Sequence, residues 1–269
     1  MEGKELDEIL KKLQAPVRAT AGFLKKENFL FNPEKIEYKG LNNLVSYVDK
    51  EAEKMLTDAC LRILPEAGFI TEEEMVENAP AANGLVWIID PLDGTTNFIH
   101  RLPDYSISLA LAENGVPVLG MVVHVPDEKI YQARKGGGAW CNAKPIFASR
   151  ESQLSNSLLA TGFPYYQFDR IPDYLAILDY FMQNTHGLRR MGSAAIDLAY
   201  VAEGIFDGFF EFNLNPWDVA AGICLVQEAG GKVSDFSGGN DALFGREIIA
   251  AGQSFPQMLE AIQSRWTRG

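Results

Sequence analysis

The chain has 269 residues, a hydrophobic fraction of 47% and a formal net charge of −12 at pH 7. A chain of this length and composition can bury a core as one large domain or as two closely joined halves. The excess of acidic residues disfavours nucleic acid as the main ligand, because that binding depends on neutralising phosphates with lysine and arginine.

Apolar periodicity predicts helices at the amino-terminal end of the chain and strands after them. Helical spacing runs from Leu6 to Leu24, and a second helix begins near Asp49 and ends before Pro65. Residues 31–43, between these helices, are predicted to be loop. Short strands bounded by Asn-Gly and Pro-Asp turn signals are predicted at 85–89, 105–112, 116–125 and 129–134.

The carboxyl-terminal part of the chain is predicted to mix strands and helices. Strands are expected near 157–161 and 205–212, and helices near 172–184 and 193–203. The strongest late helix runs from Trp217 to Ala229 and ends at two glycines.

Three consecutive glycines at 136–138 have the composition of a nucleotide-binding loop. They lack the Gly-Lys-Ser/Thr ending that would place a lysine on phosphates. We therefore expect no ligand contact from these glycines, and no P-loop ATPase signature matches the chain.

The cysteines and the hydropathy favour a cytoplasmic protein. Cys60, Cys141 and Cys224 are odd in number, widely spaced and set among apolar residues, so we expect reduced, buried thiols. No apolar stretch approaches the length of a membrane span, and the amino terminus does not resemble a secretory signal.

The most informative stretch is 87–97, Trp-Ile-Ile-Asp-Pro-Leu-Asp-Gly-Thr-Thr-Asn. A short apolar run delivers two carboxylates, Asp90 and Asp93, directly before a Gly-Thr-Thr turn. Paired carboxylates bind Mg²⁺ through oxygen, and the turn at 94–96 offers backbone N–H groups and hydroxyls to an anion. The segment therefore predicts a hard-cation site beside a phosphate cradle.

Further acidic residues each have a structural and a functional interpretation. Glu72 and Glu73 follow an apolar pair, and adjacent residues on a strand point to opposite sides, so only one can easily face a given site. A solvated acidic loop is the alternative. Asp218 and Asp49 each stand near the start of a predicted helix, where an acid also caps free N–H groups and favours the helix dipole.

Three ordered segments resemble the inositol monophosphatase family. They are Ile-Thr-Glu-Glu at 70–73, Asp-Pro-Leu-Asp-Gly-Thr-Thr at 90–96 and Trp-Asp-Val-Ala-Ala-Gly at 217–222, and Glu-Ala-Gly-Gly at 228–231 ends the last helix. Any single segment could arise by chance, whereas the ordered set is specific. The similarity extends from about residue 4 to 265.

The resemblance implies an α+β fold, a layered αβαβα sandwich with two sheets of the sugar-phosphatase type. Residues 1–150 would carry most metal ligands and the phosphate loop, and residues 151–269 would carry Asp218 and the substrate contacts. Both halves would be needed to form one site.

The resemblance also implies a Mg²⁺ cofactor and a role for each motif residue. The implied metal ligands are the side chains of Glu72, Asp90, Asp93 and Asp218, the carbonyl of Leu92, and Asp49 at a weaker third site. The phosphate would be held by Gly94, Thr95 and Thr96, and the sugar would contact Gly192, Ser193, Ala194 and Glu211. Lys39 and Glu73 are additional candidates near the metals.

Some residues depart from the family pattern. Thr71 replaces a usual glycine, and Ser46 replaces a usual threonine three residues before Asp49. Neither change removes an implied ligand. Asn215-Pro216 differs from the animal enzymes and borders the implied substrate pocket, so the inference to inositol is weaker than the inference to phosphatase.

The expected reaction is hydrolysis of a phosphate monoester by direct attack of water. Glu72 and Thr95 would assist in forming the nucleophile, and Asp90, Asp93 and Asp218 would hold the cation that neutralises the leaving alkoxide. A covalent aspartyl-phosphate route usually spaces two aspartates by one residue, whereas Asp90 and Asp93 are three apart.

The substrate and the partners leave alternatives open. Inositol 1-phosphate is preferred; fructose 1,6-bisphosphate and 3'-phosphoadenosine 5'-phosphate are alternatives, although phosphatases for the last often have lysine where this chain has Thr96. A binding or regulatory protein on the same fold is the non-enzyme alternative. The family traits also imply lithium inhibition and a homodimer. The apolar residues Phe163, Tyr165, Tyr166 and Phe168 are candidates for its interface, and a partly packed loop is the alternative for them.

Overall fold

Alternating layers of helix and sheet organise the chain in the computed structural model, which describes residues 1–30, 36–40, 43–74, 76, 84–164 and 169–266, with the backbone alone for 36–40 and 43–46. The helices are α1 Gly3–Leu30, α2 Tyr47–Ile63, α3 Thr95–His100, α4 Ile171–Asn184, α5 Ala194–Glu203, α6 Pro216–Glu228 and α7 Phe255–Gln263. The amino-terminal strands are β1 Ile36–Gly40, β2 Asn43–Ser46, β3 Gly68–Thr71, β4 Leu85–Asp93, β5 Ser106–Glu113, β6 Val116–His124, β7 Lys129–Arg134, β8 Ala139–Cys141 and β9 Lys144–Ile146. The later strands are β10 Leu158–Thr161, β11 Gly187–Arg189, β12 Gly208–Phe212, β13 Lys232–Ser234 and β14 Glu247–Ala251.

The first sheet has seven strands in the order β3-β4-β5-β6-β7-β8-β9 and is covered on both faces. Trp87 and Ile89 of β4 join the apolar cluster formed with α1 and α2, whereas Val86 and Ile88 join a cluster on the opposite face. This assignment follows from the alternation of side chains along a strand. A strand buried on both faces is apolar throughout, as β4 is up to its acidic end.

Helices α5 and α6 fill the layer between the two sheets. Gly120 and Gly222 allow this close packing: a Cβ on Gly120 would lie 2.5 Å from the carbonyl oxygen of Ala221, and one on Gly222 would overlap Leu198. A side chain at either position would push the layers apart. The central layer therefore lies against the strands that carry the acidic residues.

The second sheet has five strands in the order β11-β10-β12-β14-β13, and α4 and α7 cover its outer face. Phe181, Phe210 and Ile262 are fully buried in that outer cluster. The resulting order of layers, α1/α2, sheet, α5/α6, sheet, α4/α7, confirms the αβαβα sandwich. The division at residue 150 stays a prediction.

One predicted loop is wrong. The weak apolar pattern predicted a loop at 31–43. Instead, strands β1 and β2 form an antiparallel pair at 36–40 and 43–46, with Tyr38 opposite Leu44. Strands this short contain too few residues for an alternation to be recognised against the background.

The cysteines agree with expectation, because all three are free and buried. Of the helices in the described ranges, none combines the length and the apolarity needed to cross a bilayer. The cytoplasmic location stays a prediction.

Of the apolar residues named as candidates for a dimer interface, Phe163 is exposed, while Tyr165, Tyr166 and Phe168 lie outside the described residues.

The glycine triplet at 136–138 binds a carboxylate of the chain itself. The backbone N–H groups of all three glycines donate to Glu228, at the end of α6, over 2.8 to 3.1 Å. Gly136 and Gly138 have φ of 69° and 74°, which side-chain-bearing residues seldom adopt. The triplet thus forms an anion-binding concavity that fastens α6 to the turn after β7.

We expect Glu228→Ala to lower the free energy of unfolding by about 1–3 kcal/mol, because several charge-assisted hydrogen bonds are lost together. Urea denaturation measures the change. Glu228→Gln is the matched control, since it keeps an acceptor oxygen and should lose less. Equal stability of the three proteins would contradict a fastening role.

Candidate active site

A β-bulge brings Asp90 and Asp93 to the same side of β4. Residues three apart on a regular strand point to opposite faces. In β4, however, Asp90 lies opposite Ser108 and Asp93 opposite Ser106, so three steps on one strand match two on its neighbour. The extra residue in β4 turns the two carboxylates to the same side of the strand. Bulges often redirect side chains in this way.

Asp93 is held by the beginning of α5. Its Oδ2 accepts hydrogen bonds of 2.7 Å from the Ser193 hydroxyl and from the Ala195 N–H. Ser193 is also the N-cap of α5 and accepts from the Ile196 N–H. Burial raises the pKa of Asp93 to about 6, against the opposing effects of these two hydrogen bonds and the charge of Arg190.

Asp218 is both a helix cap and a member of the acidic group. It occupies the third position of α6, where its Oδ2 accepts from the Asn215 N–H at 2.7 Å within a capping box. Asp218 therefore does cap the start of α6, as the structural interpretation predicted. Burial, followed by the charge of Asp93, raises its pKa to about 7.

Glu72 lies directly after β3, close enough to Asp90 for the two carboxyl groups to affect each other's pKa. Burial raises the pKa of both groups well above the ordinary value, and the charge of Asp218 acts on both in the same direction. The fully buried Glu53 of α2 accepts a 2.7 Å hydrogen bond from the Glu73 N–H and so fixes the backbone beside Glu72.

The Gly-Thr-Thr turn begins helix α3 next to these acids. The Thr95 hydroxyl lies 3.1 Å from the Leu92 carbonyl oxygen and 3.3 Å from Asp49 Oδ1. Gly94 has φ of 95°, and a Cβ there would lie 3.0 Å from the Asp104 carbonyl oxygen. Glycine is therefore required at 94 by both conformation and space.

A cavity of about 210 Å³ opens beside the acidic group. Its lining includes Asp93, Asp218 and the sequence-predicted residues Gly192, Ser193, Ala194 and Glu211, together with Arg190 and Asp197. Glu211 packs directly on Gly162, where any side chain would overlap its carboxylate. Burial, then the charge of Asp218, raises the pKa of Glu211 to about 8, and Arg190 opposes this shift.

The acidic side chains of the site have the oxygen donors that a hard cation needs, although they are not arranged around one common point. Across the described ranges, no three acidic, histidine or cysteine side chains are grouped so that they could hold a metal ion as they stand. Asp93 and Asp218 accept hydrogen bonds from neighbouring N–H or hydroxyl groups, and Asp90 accepts one from the Leu92 N–H. Oxygen donors alone are what Mg²⁺ prefers, and an added positive charge would relieve their mutual repulsion.

The sequence-predicted residues fall into three groups. Glu72, Asp90, Asp93 and Asp218 act on one another electrostatically, and Asp49 joins through Thr95. The substrate candidates line the adjoining cavity. Lys39 lies on β1, and its side chain is outside what the structure describes.

Two acids that sequence reasoning missed also belong here: Glu53 and Asp197. Glu53 lies on the buried face of an amphipathic helix, and Asp197 is the single acid within the run Ala-Ala-Ile-Asp-Leu-Ala. An acid within an apolar helical face is the signal that could have found both, because a buried charge needs a partner or a function.

Comparison with known proteins identifies the family of the chain. The model of the inositol monophosphatase family matches residues 5–267. A putative Nus factor SuhB of Neisseria meningitidis serogroup B is 45% identical over 86% of this chain and 88% of that protein. An inositol-1-monophosphatase of Rhizobium meliloti is 38% identical, with 86% of each protein covered.

Among solved structures, the extragenic suppressor protein suhB of Bartonella henselae superimposes with a TM-score of 0.89 and 34% identity, covering 95% of this chain and 98% of that one. The agreement of family model, relatives and structure extends over nearly the whole chain. The chain belongs to the inositol monophosphatase family.

Proposed function

We propose that the chain is a Mg²⁺-dependent inositol-1-monophosphatase, which releases myo-inositol and phosphate by direct attack of water. Membership of the family supports a phosphatase. What supports the finer proposal is the mutual electrostatic effect of Glu72, Asp90, Asp93 and Asp218, two of which line a cavity together with Glu211. Acids in such a position have the donor chemistry for Mg²⁺ and leave room for a polar leaving group.

Each residue has a proposed part in holding the ions. Glu72, Asp90, Asp93, Asp218 and the Leu92 carbonyl would be the main ligands, with Asp49 at a weaker site, and Lys39 and Glu73 remain candidates near them. Bound Mg²⁺ would supply positive charge that activates water and stabilises the leaving alkoxide.

The residues of the chain would orient the reaction. The Thr95 hydroxyl, between the Leu92 carbonyl and Asp49, is suited to position the attacking water. Backbone N–H groups of Gly94, Thr95 and Thr96 would hold the phosphate, and Ser193, by fixing Asp93, would keep that carboxylate in place. Correct positioning lowers the barrier because the entropy of orientation is lost before the reaction.

A substrate panel tests the proposal. We expect inositol 1-phosphate to have a higher kcat/KM than fructose 1,6-bisphosphate, 3'-phosphoadenosine 5'-phosphate or histidinol phosphate. Measurement of released phosphate with Mg²⁺ present gives the ranking. A clear preference for any of the other three would reject inositol as the substrate while leaving the phosphatase intact.

A regulatory role is a second candidate. Identity to the protein named putative Nus factor, at 45%, exceeds identity to the one named inositol-1-monophosphatase, at 38%. The decisive test is whether an Asp93→Asn variant can replace the Neisseria relative in that organism: replacement by an inactive enzyme would favour a Nus-factor role independent of hydrolysis. A homodimer, lithium inhibition and a cytoplasmic location complete the proposal.

A further inference from the structure

Asp197 is a buried acid with no evident structural partner for one of its oxygens. It lies on α5 among alanine, isoleucine and leucine side chains, and only 1% of its surface is exposed. Its Oδ1 has no hydrogen-bond partner among the described residues. A buried polar atom without a partner is destabilising, so its presence in an apolar helix needs an explanation.

The cavity beside the acidic group offers an explanation for the buried acid. Asp197 lines that cavity together with Arg190 and Glu211. Arg190 passes close to the chain at the entrance to α5: a Cβ on Gly192 would lie 2.6 Å from its Nη1. Its positive charge also acts on Asp197 and Glu211. Two acceptors and one donor group of the chain therefore surround the same space.

A purely structural function for Asp197 explains less. Pairing with Arg190 alone would not require a position in the apolar interior of a helix, since Arg190 itself is exposed. Leucine could fill the same position without any desolvation cost. What pairing leaves unexplained is a carboxyl group that lines the cavity and keeps one oxygen without a hydrogen-bond partner among the described residues.

We propose that Asp197 is a specificity residue, whose carboxyl group accepts a hydrogen bond from a hydroxyl of the leaving group. This inference rests on the proposed phosphatase function and deepens it, because it adds a residue that would recognise the hydroxyl groups of the leaving group. An apolar alcohol would leave Asp197 and Glu211 unpaired on binding. Sites built around such buried polar groups reject analogues that lack the matching hydroxyls.

The experiment compares inositol 1-phosphate with cyclohexyl phosphate, which has the same ring and lacks the other hydroxyls. For the unaltered protein we expect a strong preference for inositol 1-phosphate in kcat/KM. Asp197→Leu should reduce this preference about ten- to a hundredfold, the usual effect of leaving one buried hydrogen bond unmade. Asp197→Asn keeps an acceptor oxygen and should preserve most of it.

The ratio of the two substrates separates recognition from folding. A loss that is equal for both substrates in Asp197→Leu would overturn the inference, since it would indicate a structural role only. An unchanged ratio would overturn it as well. Asp179→Leu, a change at an exposed site on α4, is the control and should leave the ratio unaltered. Failure of the unaltered protein to hydrolyse either ester would instead contradict the proposed function.

Discussion

Asp93→Asn should lower kcat by roughly a thousandfold or more, while the protein remains folded. Asp93 is the point at which the bulge of β4 meets the start of α5, and its Oδ2 accepts from Ser193 and Ala195. An asparagine oxygen can accept the same two bonds, so local packing should survive. What the variant lacks is the negative charge that would attract a divalent cation.

Three measurements test this expectation together: kcat at saturating Mg²⁺, the far-UV circular dichroism spectrum and the melting temperature. Asp58→Asn is a matched control, because Asp58 is an exposed acid on α2 whose ion pair with Lys54 lies at the surface. Its activity should be unaltered. Turnover of Asp93→Asn within a factor of ten of the unaltered protein would refute a ligand role for Asp93.

The chemistry of the site was more predictable from sequence than its geometry. Asp90, Asp93 and the turn after them could be identified because apolar residues lead directly into oxygen donors. The bulge that places both carboxylates on one side of β4 could not, because it depends on the register with β5. Local sequence does not specify which strand will be the neighbour.

The long helices of the layers were likewise easier to predict than the short strands. Helices α1 and α2 have long apolar periodicities, and α6 is apolar over eight consecutive residues, 219–226. The β1–β2 pair was missed because it is formed by only a few residues. Asp197 was missed because an acid in a helix is usually solvated, although the apolar residues on both sides of it indicate the burial that the structure shows.

Saturating Mg²⁺ should raise the melting temperature of the metal-free protein by about 5–10 °C. A ligand at a hundred times its dissociation constant contributes about 2.7 kcal/mol, and each kcal/mol corresponds to about 2–4 °C in a domain of this size. The physical origin is repulsion: burial and neighbouring charges raise the pKa of Glu72, Asp90 and Asp218 together. A cation held among them would remove this destabilisation, and chelation with EDTA should abolish turnover at the same time.

Two controls distinguish binding at the site from general screening of a chain with net charge −12. Potassium chloride at the same ionic strength should reproduce only a small part of the shift, because screening acts weakly on buried groups. Asp90→Asn should melt higher than the unaltered protein without metal, since one repelling charge is gone, and should gain less from Mg²⁺. If potassium chloride gave the full shift, or if Asp90→Asn responded to Mg²⁺ as the unaltered protein does, the cation would bind elsewhere, because only a site that includes Asp90 couples the two effects.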